Sequence, residues 1–176
     1  MSNRKRRILL TGFMGVGKTT IARHLSYLLQ ADRQDLDDYI VENENRSIAS
    51  IIGSEGESGF RDLETKYLRL LLESDFCIIS LGGGAWTIKR NRDIIGKYSS
   101  TSIWLESTFE HCWRNIKLSR FERPLAQNKE RAKKLFHERE RFYCLADWHF
   151  VIKPGNNSFD IAKQIASEYL QISEAE

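Results

Sequence analysis

The stretch "RRILLTGFMGVGKTT", Arg6 to Thr20, decides the fold. An apolar run ends at Gly12, four residues follow, and Gly17, Lys18 and Thr19 close the pattern. Glycines let successive backbone N–H groups converge on phosphate oxygens, a lysine reaches the β and γ phosphates, and a threonine hydroxyl suits Mg²⁺. The context agrees: "RRILLTG" reads as a strand, and "KTTIARHLSYLL", Lys18 to Leu29, as an amphipathic helix. A strand, a glycine loop and a helix in that order predict binding of a nucleoside triphosphate. Gly15, Val16, Gly17, Lys18, Thr19 and Thr20 would surround its phosphates.

Outward from this loop, strands and helices alternate. "CIISL", "TSIWLE" and "WHFVI" read as strands, and a closing helix lies near Ser158 to Leu170. This predicts an α/β fold with a mostly parallel sheet covered by helices. "ADRQDLDD" is taken as a further strand, although Arg33 and Gln34 stand where a buried strand would carry apolar residues. The segment "LSRFERPLAQNKERAKK", from Leu118 to Lys134, is basic and polar and suits a mobile flap better than core. With 176 residues, two prolines and no repeats, the chain is expected to form one domain.

Composition narrows the function. No apolar run approaches the roughly 18 residues of a membrane span. The basic start is broken by Gly12, Gly15, Gly17 and Lys18 before a secretory core can form, so the expected location is cytoplasmic. Cys77, Cys112 and Cys144 form no CxxC pair and are expected to be reduced thiols packed as small apolar side chains. The net charge of +3 comes partly from "RKRR", a solvated tail rather than a nucleic-acid grip.

Three further clusters carry chemistry. Asp35 and Asp37 are two residues apart in "QDLDDY"; off the end of a strand both carboxylates would point the same way, one to a metal shell and one to a substrate hydroxyl. The alternative is a helix start, with Asp37 or Asp38 as its cap. In "EGESGFRDLE", Glu57, Arg61 and Glu64 stand at helical spacings of four and three. They form either a surface ion ladder or a frame that holds the Arg61 fork ready for a carboxylate, with Phe60 in the core. In "SLGGGAW", Gly82, Gly83 and Gly84 follow a strand, where a small substrate could lie on backbone N–H groups.

Taken in order, GxxGxGKT, DxD, GExxFRxxE, GGG, RPL and an arginine four residues before a tyrosine resemble the shikimate kinase family, from about Ile8 to Leu170. The resemblance implies a P-loop kinase of the nucleoside-monophosphate-kinase-like fold: a three-layer αβα sandwich with a five-stranded parallel sheet, substrate-binding helices over about 35–64 and a mobile lid over about 119–128. It implies transfer of the γ-phosphoryl group of ATP to the 3-hydroxyl of shikimate, on the route to chorismate. Lys18 would stabilise the transferring group, and Thr19, with Asp35 acting through water, would hold Mg²⁺. Asp37 would hold the substrate hydroxyls, as base or as positioner. Arg61 and Arg139 would clamp the carboxylate, Gly83, between Gly82 and Gly84, would donate an N–H, and Arg123 would come down with the lid. Arg114 is the nearest match to an adenine-stacking arginine. The family's "RxPLY" reads "RERFY" here, with Arg141 at the proline position, and the spacing to Tyr143 selects Arg139. The expected partners are small molecules only, bound by a monomer, with no nucleic acid or membrane. A kinase of another small acid or of a nucleotide, and a nucleotide-binding relative without turnover, are the alternatives.

Overall fold

In the strand that leads into the glycine loop, β1 (Arg7–Thr11), every residue is buried. Successive strand side chains point to opposite faces, so burial of Ile8, Leu9 and Leu10 alike means that both faces are covered. The computed structural model describes residues 6–119, 128–153 and 155–175. The other strands are β2 (Arg33–Asp35), β3 (Ile78–Ser80), β4 (Ser100–Glu106) and β5 (Trp148–Val151). They form one five-stranded sheet in the order β2-β3-β1-β4-β5. All pairings are parallel, with Ile8 opposite Ile78 on one side of β1 and Thr101 on the other.

The helices are α1 (Lys18–Leu29), α2 (Leu36–Glu44), α3 (Ile48–Glu73), α4 (Lys89–Ile95), α5 (Phe109–Leu118), α6 (Lys129–Tyr143) and α7 (Ser158–Ala175). A 3₁₀ turn, Ala85–Thr87, follows the three glycines. Ile21 and Leu25 of α1, Leu68, Leu71 and Leu72 of α3, and Ile161 and Ile165 of α7 enter the core. Each such aliphatic side chain contributes about 1.5–3 kcal/mol on burial. Side-chain caps stop the helices from fraying: Ser47 accepts from Ser50 N at 3.1 Å, and Asn128 from Arg131 N at 2.8 Å. From β1 the chain passes through α1 to the edge strand β2, returns to β3 beside β1, and then crosses to β4 on the other side of β1. A crevice therefore opens at the carboxyl ends of the strands beside β1, where ligands of such sheets sit.

Several expectations are corrected. The strand expected in "ADRQDLDD" shrinks to Arg33–Asp35, and it is an edge strand with only β3 beside it, which is why Arg33 and Gln34 are tolerated there. The strand expected in "WHFVI" is present as β5, the other edge of the sheet, where Val151 is 53% exposed. Of the three cysteines only Cys112 is packed in the core; Cys77 is half-buried, and Cys144 is exposed, its thiol directed at Arg141 O, 3.1 Å away. The closing helix continues past Leu170 to Ala175. Of the expected flap, Leu118 to Lys134, residues 120–127 lie outside the described residues; α5 is capped at Ser119, Asn128 caps α6, and Lys129 to Lys134 form the first turns of that helix rather than a flap. No described helix is long and apolar enough to cross a membrane.

The glycine loop is pressed against α5. Gly15 has φ +80°, and a β-carbon there would stand 2.5 Å from Cys112 O and 2.9 Å from Ile116 Cγ1. Asn115 Nδ2 of the same helix donates to Gly15 O at 2.8 Å. Because the clash is with backbone in a conformation that L-residues avoid, Gly15→Ala is expected to cost about 2 kcal/mol or more in chemical denaturation of the ligand-free protein. Unchanged stability would show that α5 does not seat the loop.

Candidate active site

Two groups of side chains adjoin at the carboxyl edge of the sheet. The first surrounds the glycine loop. Gly17, at φ 107° ψ 14°, caps α1 without a side chain, and the first turn of α1 has no acidic residue. The leading N–H groups of the helix are thus left for an anion, and the helix dipole adds to the attraction. Lys18 Nζ folds over the loop and donates to Gly12 O at 2.8 Å and Phe13 O at 3.1 Å. Val16 is 3% exposed, so its side chain belongs to the core and only its backbone can face a ligand. Thr19 is exposed and Thr20 half-buried at the start of α1.

Thr19 Oγ1 donates to Asp35 Oδ2 at 3.0 Å, which joins the loop to the end of β2. Asp35 Oδ1 accepts from Asp37 N at 3.0 Å, so Asp35 caps α2. This replaces the expected cap at Asp37 or Asp38. It also separates the two carboxylates: Asp37 lies in the first turn of α2 rather than on an extended strand, and it faces Gly82 while Asp35 faces Thr19. Burial, with the Asp38 charge nearby, holds the Asp35 carboxyl above its ordinary value, against the pull of Thr19 and Lys18. A hydroxyl and a carboxylate are hard oxygen donors that suit Mg²⁺. Among the described residues no group of three or more His, Cys, Asp or Glu gathers, and Mg²⁺, which keeps most of its shell as water and phosphate, needs none.

The second group lines a cavity of about 380 Å³ that includes Asp37, Phe60, Arg61, Gly83 and Arg139. In α3 the helix is broken at Gly56, φ 74°, and restarts ahead of Glu57. Arg61 Nη1 donates to Glu64 Oε2 at 2.5 Å and Nη2 to Glu57 Oε1 at 3.0 Å. With Glu64 1% exposed and the Arg61 side chain 16%, this is no surface ladder. Burial disfavours the Arg61 charge, but Glu64 and Glu57 more than offset it and its pKa is raised. Phe60 is in the core, as expected.

Each of the three glycines faces a different charged side chain. A β-carbon on Gly82 would lie 2.5 Å from Asp37 Oδ1, one on Gly83 3.3 Å from Arg139 Nη1, and one on Gly84 2.5 Å from Arg61 Nη1. The backbone is bare because three side chains occupy the space. Arg139 comes from α6, is 6% exposed, and its Nη1 has no hydrogen-bond partner among the described residues. A buried, unsatisfied guanidinium N–H is costly unless a ligand satisfies it, and a carboxylate is the natural acceptor.

The expected residues do not all meet. Arg114 is exposed on α5 with no contact to the loop described, and its neighbour Asn115 makes the loop bond instead. Arg123 lies outside the described residues. Asn115 was not legible as part of the site, since an asparagine in a helix has many ordinary uses, and Tyr143, which served in the sequence only to select Arg139, donates its hydroxyl to Gly83 O at 2.5 Å.

Residues 14–172 match the family described as shikimate kinase. The shikimate kinase of Geobacter metallireducens is 35% identical over 94% of this chain and 92% of its own, and that of Persephonella marina 34% over 91% and 96%. Among solved structures, the shikimate kinase of Acinetobacter baumannii in complex with shikimate superimposes with a TM-score of 0.83 at 30% identity, over 95% of this chain and 94% of that one. A gluconokinase from Sinorhizobium meliloti, 12% identical with a TM-score of 0.63 over 98% of this chain and 95% of that one, shares the fold.

Burial pushes the Glu64 carboxyl above its ordinary value of 4.5, although Arg61 and Arg139 pull it down. A raised carboxyl binds its proton more tightly folded than unfolded. Its contribution to stability is therefore fully present below pH 4.5 and is lost as pH rises through the folded value. Glu64→Gln removes this dependence. The stability of wild type relative to the variant is thus expected to fall as pH is raised from 4 upward, measured by denaturation across the range; a flat difference would refute the assignment.

Proposed function

The chain belongs to the shikimate kinase family, and from that premise we propose that its own residues carry the γ-phosphoryl group of ATP to the 3-hydroxyl of shikimate, giving shikimate 3-phosphate and ADP. One observation supports the site assignment above others: Arg61 and Arg139, from different helices, converge on the cavity that also holds Asp37 and the bare Gly82–Gly84 backbone. A ring acid with several hydroxyls is complementary to that set. The two guanidinium groups take the carboxylate, and Asp37 and a turn N–H take the hydroxyls.

ATP lies with its phosphates on the N–H groups of Gly15 to Thr20. Thr19 and, through water, Asp35 would hold Mg²⁺, which would neutralise phosphate charge when bound. The 3-oxygen of shikimate attacks the γ-phosphorus as the bond to the β–γ bridging oxygen breaks, and the hydroxyl proton leaves toward Asp37. The transition state is loose and needs that proton removed only late, so Asp37 serves first as positioner. Lys18 turns from the Gly12 and Phe13 carbonyls to the phosphates, where its charge matters most as negative charge shifts toward the leaving oxygen. Arg123 adds positive charge for the phosphates, and Arg114 serves the adenine. The enzyme works as a single kinase domain and as a monomer, in the cytoplasm, where the free thiols of Cys77, Cys112 and Cys144 stay reduced.

ADP release coupled to a reporter enzyme, with shikimate beside gluconate, other hydroxy acids and nucleoside monophosphates, tests the reading; turnover with another acceptor and none with shikimate would overturn it. Lys18→Ala is expected to lower kcat by about two orders of magnitude or more. Near-normal turnover by the folded variant would remove Lys18 from the mechanism. Arg61→Ala should weaken shikimate binding while ATP affinity stays almost intact in calorimetry. The reverse pattern would move Arg61 to the nucleotide site.

A further inference from the structure

Tyr143 ends α6 and is 1% exposed. A buried phenol ordinarily finds a partner for its O–H, and here the partner is Gly83 O at 2.5 Å, a bond between residues 60 apart in the chain. Arg139 lies four residues earlier on the same helix face, and its positive charge acts on the phenol. Burial pushes the phenol up to about 12, so its proton stays in place for Gly83 across ordinary assay conditions. The Tyr143 hydroxyl and the Arg139 guanidinium thus meet at one residue: the first holds the Gly83 carbonyl, and a β-carbon on Gly83 would stand 3.3 Å from Arg139 Nη1. Next to it, Trp86 Nε1, just past the glycines, donates to Phe142 O at 3.0 Å and ties the same two segments a second time.

The turn needs such a tie. Ala85 N bonds back to Gly82 O, but within the described residues the N–H groups of Gly83 and Gly84 make no backbone hydrogen bond. The Ala85 bond to Gly82 O orients the Gly83 N–H of that peptide unit, but glycine peptides have the widest choice of orientation, and without a restraint on the Gly83 carbonyl the Gly84 N–H would sample directions away from the cavity. The peptide unit is planar and trans, so holding the Gly83 carbonyl on α6 directs the Gly84 N–H of that unit to the opposite side.

We propose that Tyr143 is a positioning residue for substrate recognition, holding the Gly82–Gly84 backbone and the Arg139 guanidinium in one register so that both meet the ring acid together. The inference rests on the assignment of Arg61 and Arg139 to the substrate carboxylate. It identifies what keeps Arg139, a residue distant in sequence, aligned with the turn. Tyr143 need not touch substrate. Its hydroxyl acts through the two groups that do.

Tyr143→Phe keeps the ring packed near Trp104 and deletes only the hydroxyl. Calorimetry of shikimate, of its methyl ester and of ADP separates the possibilities. Wild type should prefer the acid over the ester. In the variant, shikimate affinity is expected to fall about five- to tenfold and ester affinity by less than about threefold, so the preference shrinks. ADP affinity should be unchanged, which also reports that the variant is folded, and kcat at saturation should change less than KM for shikimate. Ile103→Val, a fully buried change in β4, serves as a control that loses stability without shifting the preference. A variant that keeps the wild-type preference, whether both ligands bind normally or both are weakened equally, would overturn the inference and reduce Tyr143 to a packing residue. A wild-type protein that binds the two ligands alike would instead refute the carboxylate assignment, and the inference with it.

Discussion

Charged side chains from three helices meet over one backbone segment, and they can do so because that segment has no β-carbons. Asp37 of α2 and Arg61 of α3 occupy the places where side chains on Gly82 and Gly84 would stand, and Arg139 of α6 comes to 3.3 Å from where a β-carbon on Gly83 would lie. A single alanine at Gly84 would displace the Arg61 fork by direct overlap. The rest of the site depends on this vacancy, since it sets how near the cations lie to each other and to the N–H groups of the turn.

Concentrating charge in this way has a cost. Glu64 is almost fully buried, and taking a carboxylate and a guanidinium out of water consumes most of what their attraction returns. The pair is therefore weak evidence for stability and better evidence for orientation. With Glu64 gripping one nitrogen of Arg61 and Glu57 another, the fork has little freedom left to lose when a ligand arrives. Arg139 comes from another helix and leaves one nitrogen without a protein partner among the described residues, although Glu64 also feels its charge. The site thus holds one cation gripped by carboxylates and one with a free donor nitrogen.

The phosphate side of the crevice follows another rule. There the backbone itself supplies the charge complement, through the start of α1, and the side chains that matter are few. Asn115 and the α5 backbone press the loop into shape from one side, while the Thr19–Asp35 bond ties it to β2 from the other. Through Asp35, which also caps α2, the phosphate loop and the helix that carries Asp37 share one residue. The two halves of the site are in this way built on a common support.

The sequence by itself determined what is local. The glycine loop between strand and helix, the alternation of strands and helices, and the spacing of Glu57, Arg61 and Glu64 all depend on residues within one or two turns of each other, where periodicity and side-chain chemistry are enough. Tertiary structure decided the rest. Only the strand order placed β3 beside β1, which brings Gly83 within van der Waals reach of Met14 in the phosphate loop. Only the edge position of β2 accounts for Arg33 and Gln34, and only packing chose Asp35 over Asp37 as the helix cap. The glycines and Tyr143 each stood out in the sequence, but their contact spans 60 residues, and neither stretch shows that it meets the other. Such pairings arise from sheet register and helix docking, which sum many weak and distant contacts, and no short run of residues carries that sum.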